Sequence, residues 1–138
     1  MHMQGLPRTM QNSPSYNNVI DDIMGFFEQR IAACISAGIA RERIIIDPGF
    51  GFGKTLAQNF HLLANLSKFA QLELPILAGI SRKSMIGNLL NREVDQRLAG
   101  SLSAAIIAAQ QGADIIRVHD VQATVDALKV LNAVTDHQ

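Results

Sequence analysis

The sequence contains a single cysteine and no excess of charge of either sign, and both features exclude classes of protein. Cys34 has no second cysteine with which to form an internal disulfide, which fits a reducing compartment. It lies in an apolar helical pattern, so we expect it to pack rather than react. Twelve basic and twelve acidic residues cancel, and the balance predicts neither a nucleic-acid partner nor an anionic membrane partner. Small charged ligands are compatible with this composition.

Long apolar runs are also lacking. No segment approaches the roughly 18 uninterrupted apolar residues needed to cross a bilayer, and the first residues do not show the charged region and apolar core of a secretory signal. We therefore expect a cytoplasmic protein. With 138 residues, 48% hydrophobic and 17% charged, the composition is typical of a single globular domain over residues 1–138.

Short apolar runs alternate with segments of helical periodicity. Three runs predict buried parallel strands, namely residues 43–47, 75–80 and 115–118, and the first shows no alternation, as expected for a strand covered on both faces. Helices are predicted from Val19 to a stop at Gly38, after an N-cap at Thr55, in an interrupted region ending near Gly112, and over residues 121–134. The order α, β, α, β, α, β, α is typical of parallel βα units and predicts an α/β fold. The chain is short for an open five-stranded sheet and for a complete (β/α)8 barrel of about 250 residues.

Polar or glycine-rich motifs follow each predicted strand. They read Asp-Pro-Gly-Phe-Gly-Phe-Gly-Lys at 47–54, Gly-Ile-Ser-Arg-Lys-Ser at 79–84 and Arg-Val-His-Asp at 117–120. Ligands of parallel α/β folds bind at the carboxyl ends of the strands, where loops and helix N-termini converge. The three motifs together predict a ligand site at that edge.

The first motif resembles a phosphate-binding loop but lacks its spacing. Only three residues separate Gly49 from Gly53, where the P-loop needs four, and the dinucleotide pattern also fails. We interpret Asp47 as a carboxylate for a ligand with paired N–H donors, while the glycines let the backbone come close to it. The alternative, that Asp47 only caps the loop, stays open.

The second and third motifs carry cationic groups suited to anions. Lys83 supplies a donor and a point charge near a helix start, and Arg82 carries less weight because it could lie in a solvated basic turn. Arg117 and His119 lie two residues apart on one strand, so their side chains project to one side and suit an anionic leaving group. A purely structural histidine is the alternative, and the role of His2 is left open. No metal-site spacing and no nucleophile elbow occurs.

Taken in order, Met-His-Met-Gln-Gly at 1–5, the 47–54 motif, Ser-Arg-Lys-Ser at 81–84 and Arg-Val-His-Asp at 117–120 closely resemble the motifs of dihydropteroate synthases. The resemblance covers essentially the whole chain. It implies a partial TIM (β/α)8 barrel, the C-terminal half with about three parallel strands and their helices. It also implies that the first strands and their active-site loops lie outside this chain, and that the full-length form is a homodimer.

The resemblance implies roles for single residues. For the pterin it implies contacts from Asp47, Gly79, Lys83, Arg117 and Met1; for p-aminobenzoate, from Phe52, Ser81 and Lys83; and for the diphosphate, from Arg117 and His119. Lys83, Arg117 and His119 would be catalytic. The implied reaction is a transferase step of folate biosynthesis, in which p-aminobenzoate displaces pyrophosphate from a hydroxymethyl-dihydropterin diphosphate. Mg²⁺ would arrive with the diphosphate, and its protein ligand would lie in the missing N-terminal half.

Two other interpretations stay open. A pterin-binding methyltransferase-type barrel shares the pterin pocket, although the Ser-Arg-Lys-Ser motif favours an arylamine-carboxylate site that such an enzyme does not need. The chain could instead be a non-catalytic half-barrel that needs a partner chain. Alone, we expect it to be inactive and weakly stable or self-associating, because a three-stranded half-barrel leaves strand edges and apolar surface unpaired.

Overall fold

The computed structural model describes residues 1–5 and 15–137, and in these residues helices cover one face of a small parallel sheet. The α-helices of this part of the chain are α1 (Val19–Ser36), α2 (Leu56–Ala64), α3 (Ser84–Leu90), α4 (Leu98–Gln110) and α5 (Val121–Thr135), and its strands are β1 (Leu77–Ala78) and β2 (Ile115–Ile116). Short 3₁₀ helices span Arg41–Arg43, Leu66–Leu72 and Val94–Gln96. Among the described residues, no helix is both long enough and apolar enough to span a membrane.

The sheet is parallel, as predicted, but smaller than predicted. Leu77 lies opposite Ile115, and Ala78 opposite Ile116. The first predicted strand, 43–47, is reduced to one parallel bridge between Ile46 and Ile76. Its earlier residues leave the ladder because a 3₁₀ turn uses the amide of Ile44, which donates to the carbonyl of Arg41 at 3.0 Å. The prediction of about three strands was therefore too generous for this segment.

The backbone hydrogen bonds nevertheless set four segments side by side. The amide of Ile46 donates to the carbonyl of Pro75 at 2.9 Å, and the amide of Leu77 donates back to Ile46 at 2.8 Å. On the other side of this segment, the amide of His2 donates to the carbonyl of Asp47 at 2.8 Å. The order across the sheet is therefore residue 2, residues 46–47, β1 and β2.

The two faces of the sheet differ sharply in exposure. Ile46, Ile76 and Ala78 point to the helices and are 2%, 1% and 1% exposed. On the opposite face Ile45 is 50% exposed and Ile115 is 36% exposed. Side chains alternate along strands, so this face is open in the chain. The prediction that residues 43–47 are covered on both faces was wrong for this reason.

Helix ends follow local signals that the sequence carries. Thr55 caps α2 in a capping box with Gln58, whose amide donates to Thr55 Oγ1 at 3.2 Å while Thr55 N–H donates to Gln58 Oε1 at 2.8 Å. Asn18 caps α1 by accepting from the amide of Ile20. Gly38, with φ +87°, follows the end of α1.

The helical segment predicted after Thr55 is divided between two elements. Helix α2 ends at Ala64, and the 3₁₀ helix Leu66–Leu72 continues the buried surface. The ring of Phe69 is fully buried and meets Phe27 of α1 edge-on, with ring centroids 5.8 Å apart. Burial of a side chain of this size stabilises the fold by about 1.5–3 kcal/mol, so these rings anchor α1 and the 66–72 segment to each other.

Candidate functional site

A cavity of about 400 Å³ opens where β1 and β2 end, at the carboxyl edge of the sheet. Its walls come from two of the three motifs: Gly79, Ser81, Lys83, Arg117, Val118 and His119. The third motif borders the cavity through Asp47, whose Oδ2 lies 3.8 Å from Arg117 Nη2. The fold thus brings together side chains that are up to 72 residues apart in the chain, between Asp47 and His119.

The two carboxylate oxygens of Asp47 have different surroundings: one caps the 47–54 loop, and the other points towards the cavity. Oδ1 accepts from the amide of Gly49 at 2.8 Å, which is the loop-capping interpretation. Oδ2 points towards Arg117, and the Asp47 side chain is 12% exposed. The loop-capping interpretation therefore describes Oδ1, while contact with a ligand that carries N–H donors stays a prediction and would use Oδ2, beside Arg117.

Lys83 bridges the second motif and the glycine-rich loop. Its Nζ donates to the carbonyl of Phe50 and lies 4.5 Å from the centroid of the Phe52 ring, a cation–π contact. Burial lowers the pKa of Lys83 to about 8; the charge of Arg117 lowers it too, and Asp47 partly offsets both. An amine with a pKa this close to neutrality is typical of groups in functional sites.

Lys54, to which the sequence assigned no role, is the buried cation that shapes the loop. It is 3% exposed, and its Nζ donates to the carbonyls of Gly49 at 2.7 Å and Phe52 at 3.2 Å and lies 3.1 Å from His2 Nδ1. Burial, followed by the charge of Lys83, lowers the pKa of Lys54 to about 8, while Asp47 raises it. Nothing in the local sequence indicated this burial, because the acceptors that satisfy the ammonium depend on how the loop folds.

The ring of His2, whose role the sequence left open, is buried and packs inside the protein. Its ring packs edge-on against Phe26, with centroids 5.0 Å apart, and is 6% exposed. Burial, together with the positive charges of Lys54 and the N-terminus, lowers the pKa of His2 to about 4. The neutral ring therefore presents Nδ1 as an acceptor to Lys54.

Two loop glycines stand where no other residue fits. Gly49 has φ +72°, and a Cβ there would lie 1.9 Å from the carbonyl oxygen of His2. Gly53 has φ +64°, and its Cβ would lie 2.5 Å from the carbonyl oxygen of Gln4. The 47–54 loop therefore packs directly on the backbone of residues 1–5.

Ser81 and His119 are hydrogen-bonded to each other. Ser81 is 6% exposed, its Oγ accepts from the amide of His119 at 3.2 Å, and the same oxygen lies 3.0 Å from His119 Nδ1. Beside them the guanidinium of Arg117 lies over Gly79, where a Cβ would come within 2.7 Å of Nη2. The predicted carboxylate-binding and diphosphate-binding groups are thus adjacent, and their roles stay predictions.

Met1 is the predicted site residue that this arrangement does not bring to the cavity. It is 54% exposed and lines a separate cavity of about 320 Å³ between α1 and residues 44–46. Phe52, in contrast, borders the site through Lys83. Across residues 1–5 and 15–137, no group of three or more His, Cys, Asp or Glu side chains is arranged to hold a metal ion.

The parallel sheet and the cavity at its carboxyl edge define an α/β protein with a candidate site for a small ligand. The family model described as "Pterin binding enzyme" matches residues 1–119. This chain belongs to the pterin-binding enzyme family.

Relatives with curated names and solved structures agree with this assignment. The chain is 56% identical over 133 residues to the dihydropteroate synthase of Haemophilus influenzae, covering 96% of this chain and 48% of that protein. The structure of the Yersinia pestis dihydropteroate synthase with a sulfonamide drug superimposes with a TM-score of 0.97 at 52% identity, covering 99% of this chain and 50% of that one. The Xanthomonas albilineans dihydropteroate synthase with 4-aminobenzoic acid gives a TM-score of 0.90 at 50% identity, covering 97% and 47%. The chain spans about half the length of the relatives that it matches.

Proposed function

We propose that this chain, as one unit over residues 1–138, is the C-terminal half of a dihydropteroate synthase. The observation that carries the proposal is the convergence of Asp47, Lys83, Arg117 and His119 on one strand-end cavity. The relatives named above support it, because they bear this name and include complexes with a sulfonamide drug and with 4-aminobenzoic acid.

We propose that the open face of the sheet is the interior of a (β/α)8 barrel that needs further strands to close. Interior side chains of such barrels pack in layers contributed by alternate strands. Ile45 and Ile115 are 50% and 36% exposed on that face, so the isolated chain should bind apolar dyes and self-associate. A cooperatively melting monomer that binds no dye would contradict this expectation.

The proposed reaction demands orientation and charge stabilisation. The arylamine nitrogen of p-aminobenzoate forms a bond to the methylene carbon of the pterin, the C–O bond to diphosphate breaks, and the amine loses a proton. Asp47 holds the amino-pyrimidine edge of the pterin, while Gly79 lets the ring approach the backbone. Arg117 and His119 receive the departing diphosphate, whose charge grows as the bond breaks.

Ser81, Phe52 and Lys83 would hold p-aminobenzoate. Ser81 Oγ and the amides that open α3 face a carboxylate, and the ring of Phe52 packs on the aromatic acid. Lys83 contacts both substrates from its position over Phe52. Sulfonamides, which mimic p-aminobenzoate, should therefore compete at Ser81 and Lys83.

Within the part of the chain that the structure describes, no three His, Cys, Asp or Glu side chains are grouped to hold Mg²⁺. We propose that Mg²⁺ arrives with the substrate diphosphate, that its protein ligand lies in the N-terminal half, and that the completed enzyme is a cytoplasmic homodimer. Met1 lies at a separate cavity in this chain, so a pterin contact from Met1 would have to form when the barrel is completed.

A chimera tests the proposal directly. The N-terminal part of the Haemophilus influenzae relative, followed by this chain, should form dihydropteroate from the pterin diphosphate and p-aminobenzoate, and Lys83→Ala in the same chimera should lower kcat/KM by about 10²-fold or more. A folded chimera that makes no product would refute the proposal.

Measuring p-aminobenzoate binding with pterin and pyrophosphate present separates the proposed function from a methyltransferase-type barrel, which has no use for the arylamine. Product from the 138-residue chain alone would exclude the interpretation as a non-catalytic half-barrel.

A further inference from the structure

Arg82 and Asp120 form an ion pair just outside the cavity. Arg82 Nε donates to Asp120 Oδ2 at 3.0 Å, and Arg82 Nη2 donates to Asp120 Oδ1 at 2.5 Å. This is the bidentate geometry in which arginine binds carboxylates most specifically. The two side chains are 35% and 21% exposed, and neither is among the residues that line the cavity.

Asp120 is positioned as a helix cap but does not act as one. It is the N-cap residue of α5, yet its side chain accepts no hydrogen bond from the helix. Its carboxylate oxygens accept from Arg82 instead, and the hydrogen bonds from Arg82 lower the pKa of Asp120. Because N-cap aspartates ordinarily stabilise their own helix, this carboxylate is used across the site rather than along its own element.

Arg82 is held in a backbone conformation that arginine disfavours. Its φ is +57°, the left-handed region that costs free energy for residues with a Cβ. Side chains of α4 and its N-cap hold it there, because Ser101 Oγ accepts from the amide of Arg82 and Arg97 Nη1 donates to its carbonyl, both at 2.9 Å. Such enforced conformations concentrate at functional sites.

The consequence of this backbone is that adjacent residues point to different places. Ser81 turns inward to the cavity and meets His119, while Arg82 turns outward and meets Asp120. The two loops are therefore joined by two adjacent contacts. Ser81 contacts His119, and the next residue of each loop forms the Arg82–Asp120 pair. The inner link is a hydrogen bond between groups that would bind substrate, and the outer link is the ion pair.

We propose that Arg82 and Asp120 are positioning residues that fix the distance between the two halves of the substrate site. The inference rests on the proposed function, in which Ser81 and Lys83 hold the arylamine and Arg117 and His119 hold the departing diphosphate. The pair sets the alignment of the attacking nitrogen with the leaving group. Misplacement by about 1 Å at such a point can cost on the order of 10²-fold in rate.

The first test uses the 138-residue chain and needs no activity. Hydrogen exchange of the His119 amide, which donates to Ser81 Oγ, is measured by NMR. Arg82→Ala and Asp120→Asn should each speed it about tenfold, while the amide of Leu77, in the sheet, stays unchanged. Asp120→Asn leaves the backbone of Arg82 intact, so it remains informative if Arg82→Ala does not fold. Unchanged exchange at His119 in Asp120→Asn would overturn the inference.

The second test uses the chimera and the double variant. Arg82→Ala and Asp120→Ala should each lower kcat about tenfold with little change in KM for p-aminobenzoate, and the double variant should be no worse than either alone. Arg82→Lys, which keeps the charge without the fork, should be intermediate. Arg43→Ala, an exposed arginine of the 41–43 turn, is the control and should be unchanged. Losses that multiply in the double variant would overturn the inference.

The two tests separate this inference from the proposed function. A wild-type chimera without activity, together with the expected exchange at His119, refutes the proposed function and leaves the link between the loops standing. An active chimera whose kcat is insensitive to both single substitutions refutes the positioning role and leaves the proposed function standing.

Discussion

Gly49→Ala should destabilise the fold far more than Gly38→Ala. Both glycines have a positive φ, but only at Gly49 would an added Cβ overlap other atoms. The new Cβ would lie 1.9 Å from the carbonyl oxygen of His2 and 3.0 Å from its carbonyl carbon. Both are backbone atoms, so no side-chain rotation relieves the overlap. Residues 1–5 would have to move away, and the hydrogen bond from the amide of His2 to the carbonyl of Asp47 would be lost with them.

The magnitude follows from two costs. A left-handed backbone at a residue with a Cβ costs about 1–2 kcal/mol, and forcing atoms into a packed region costs about 1–3 kcal/mol more. Gly49→Ala should therefore lower the free energy of unfolding by about 2–5 kcal/mol, a large share of the roughly 5–15 kcal/mol of an ordinary domain.

Gly38 provides the matched control. Its φ is +87°, but a Cβ there would meet nothing within 4 Å, so Gly38→Ala should lose only the backbone cost of about 1–2 kcal/mol. Urea unfolding of both variants, followed by circular dichroism, isolates the clash with His2 as their difference. If both variants lower the free energy of unfolding by the same amount, the 47–54 loop does not pack closely on the backbone of residues 1–5.

Three further predictions concern single groups of the site and its support. In the chimera, Lys83→Ala and Asp47→Ala should each lower kcat/KM by about 10²-fold or more, about 2.7 kcal/mol; steady-state turnover equal to wild type would contradict their roles. Lys54→Met leaves the carbonyl of Phe52 and the His2 ring without the lysine donor, and the carbonyl of Gly49 keeps only the amide of Phe52. Urea unfolding should therefore show a loss of about 1–3 kcal/mol, and an unchanged midpoint would count against the buried ammonium. The pKa of His2 in the folded chain is about 4, below its ordinary value of 6.5. Its contribution to stability is therefore complete above pH 6.5 and is lost as the pH falls towards 4. Urea midpoints measured across this range should fall more steeply in wild type than in His2→Leu, and parallel curves would refute this.

Local signals in the sequence predicted the fold where cause and effect lie within a few residues. The capping box joins Thr55 to Gln58, three positions on, and the helix ends near Gly38 and Gly112 need only their own backbone. The strands were harder, because a strand's length depends on its neighbours. The segment 43–47 has the composition of a strand, yet only Ile46 forms a bridge.

The candidate site divides in the same way. The motifs indicated Asp47, Lys83, Arg117 and His119, because polar residues at the ends of parallel strands must share one edge. The motifs did not indicate a role for Lys54, which is buried in the structure at 3% exposure. Its partner His2 is 52 residues away in the chain. Arg82 carried less weight because it could lie in a solvated turn, and its carboxylate partner is 38 residues away.

By itself, the sequence determined the α/β class, the order of the elements, the motifs at the strand ends and the family resemblance, because each is written in residue types at short spacing. Only the tertiary structure decided which groups meet across the loops: the ammonium of Lys54 against His2, the fork of Arg82 against Asp120, and Met1 in a separate cavity. These pairings depend on distances between segments remote in sequence, and residue spacing along the chain carries no record of those distances.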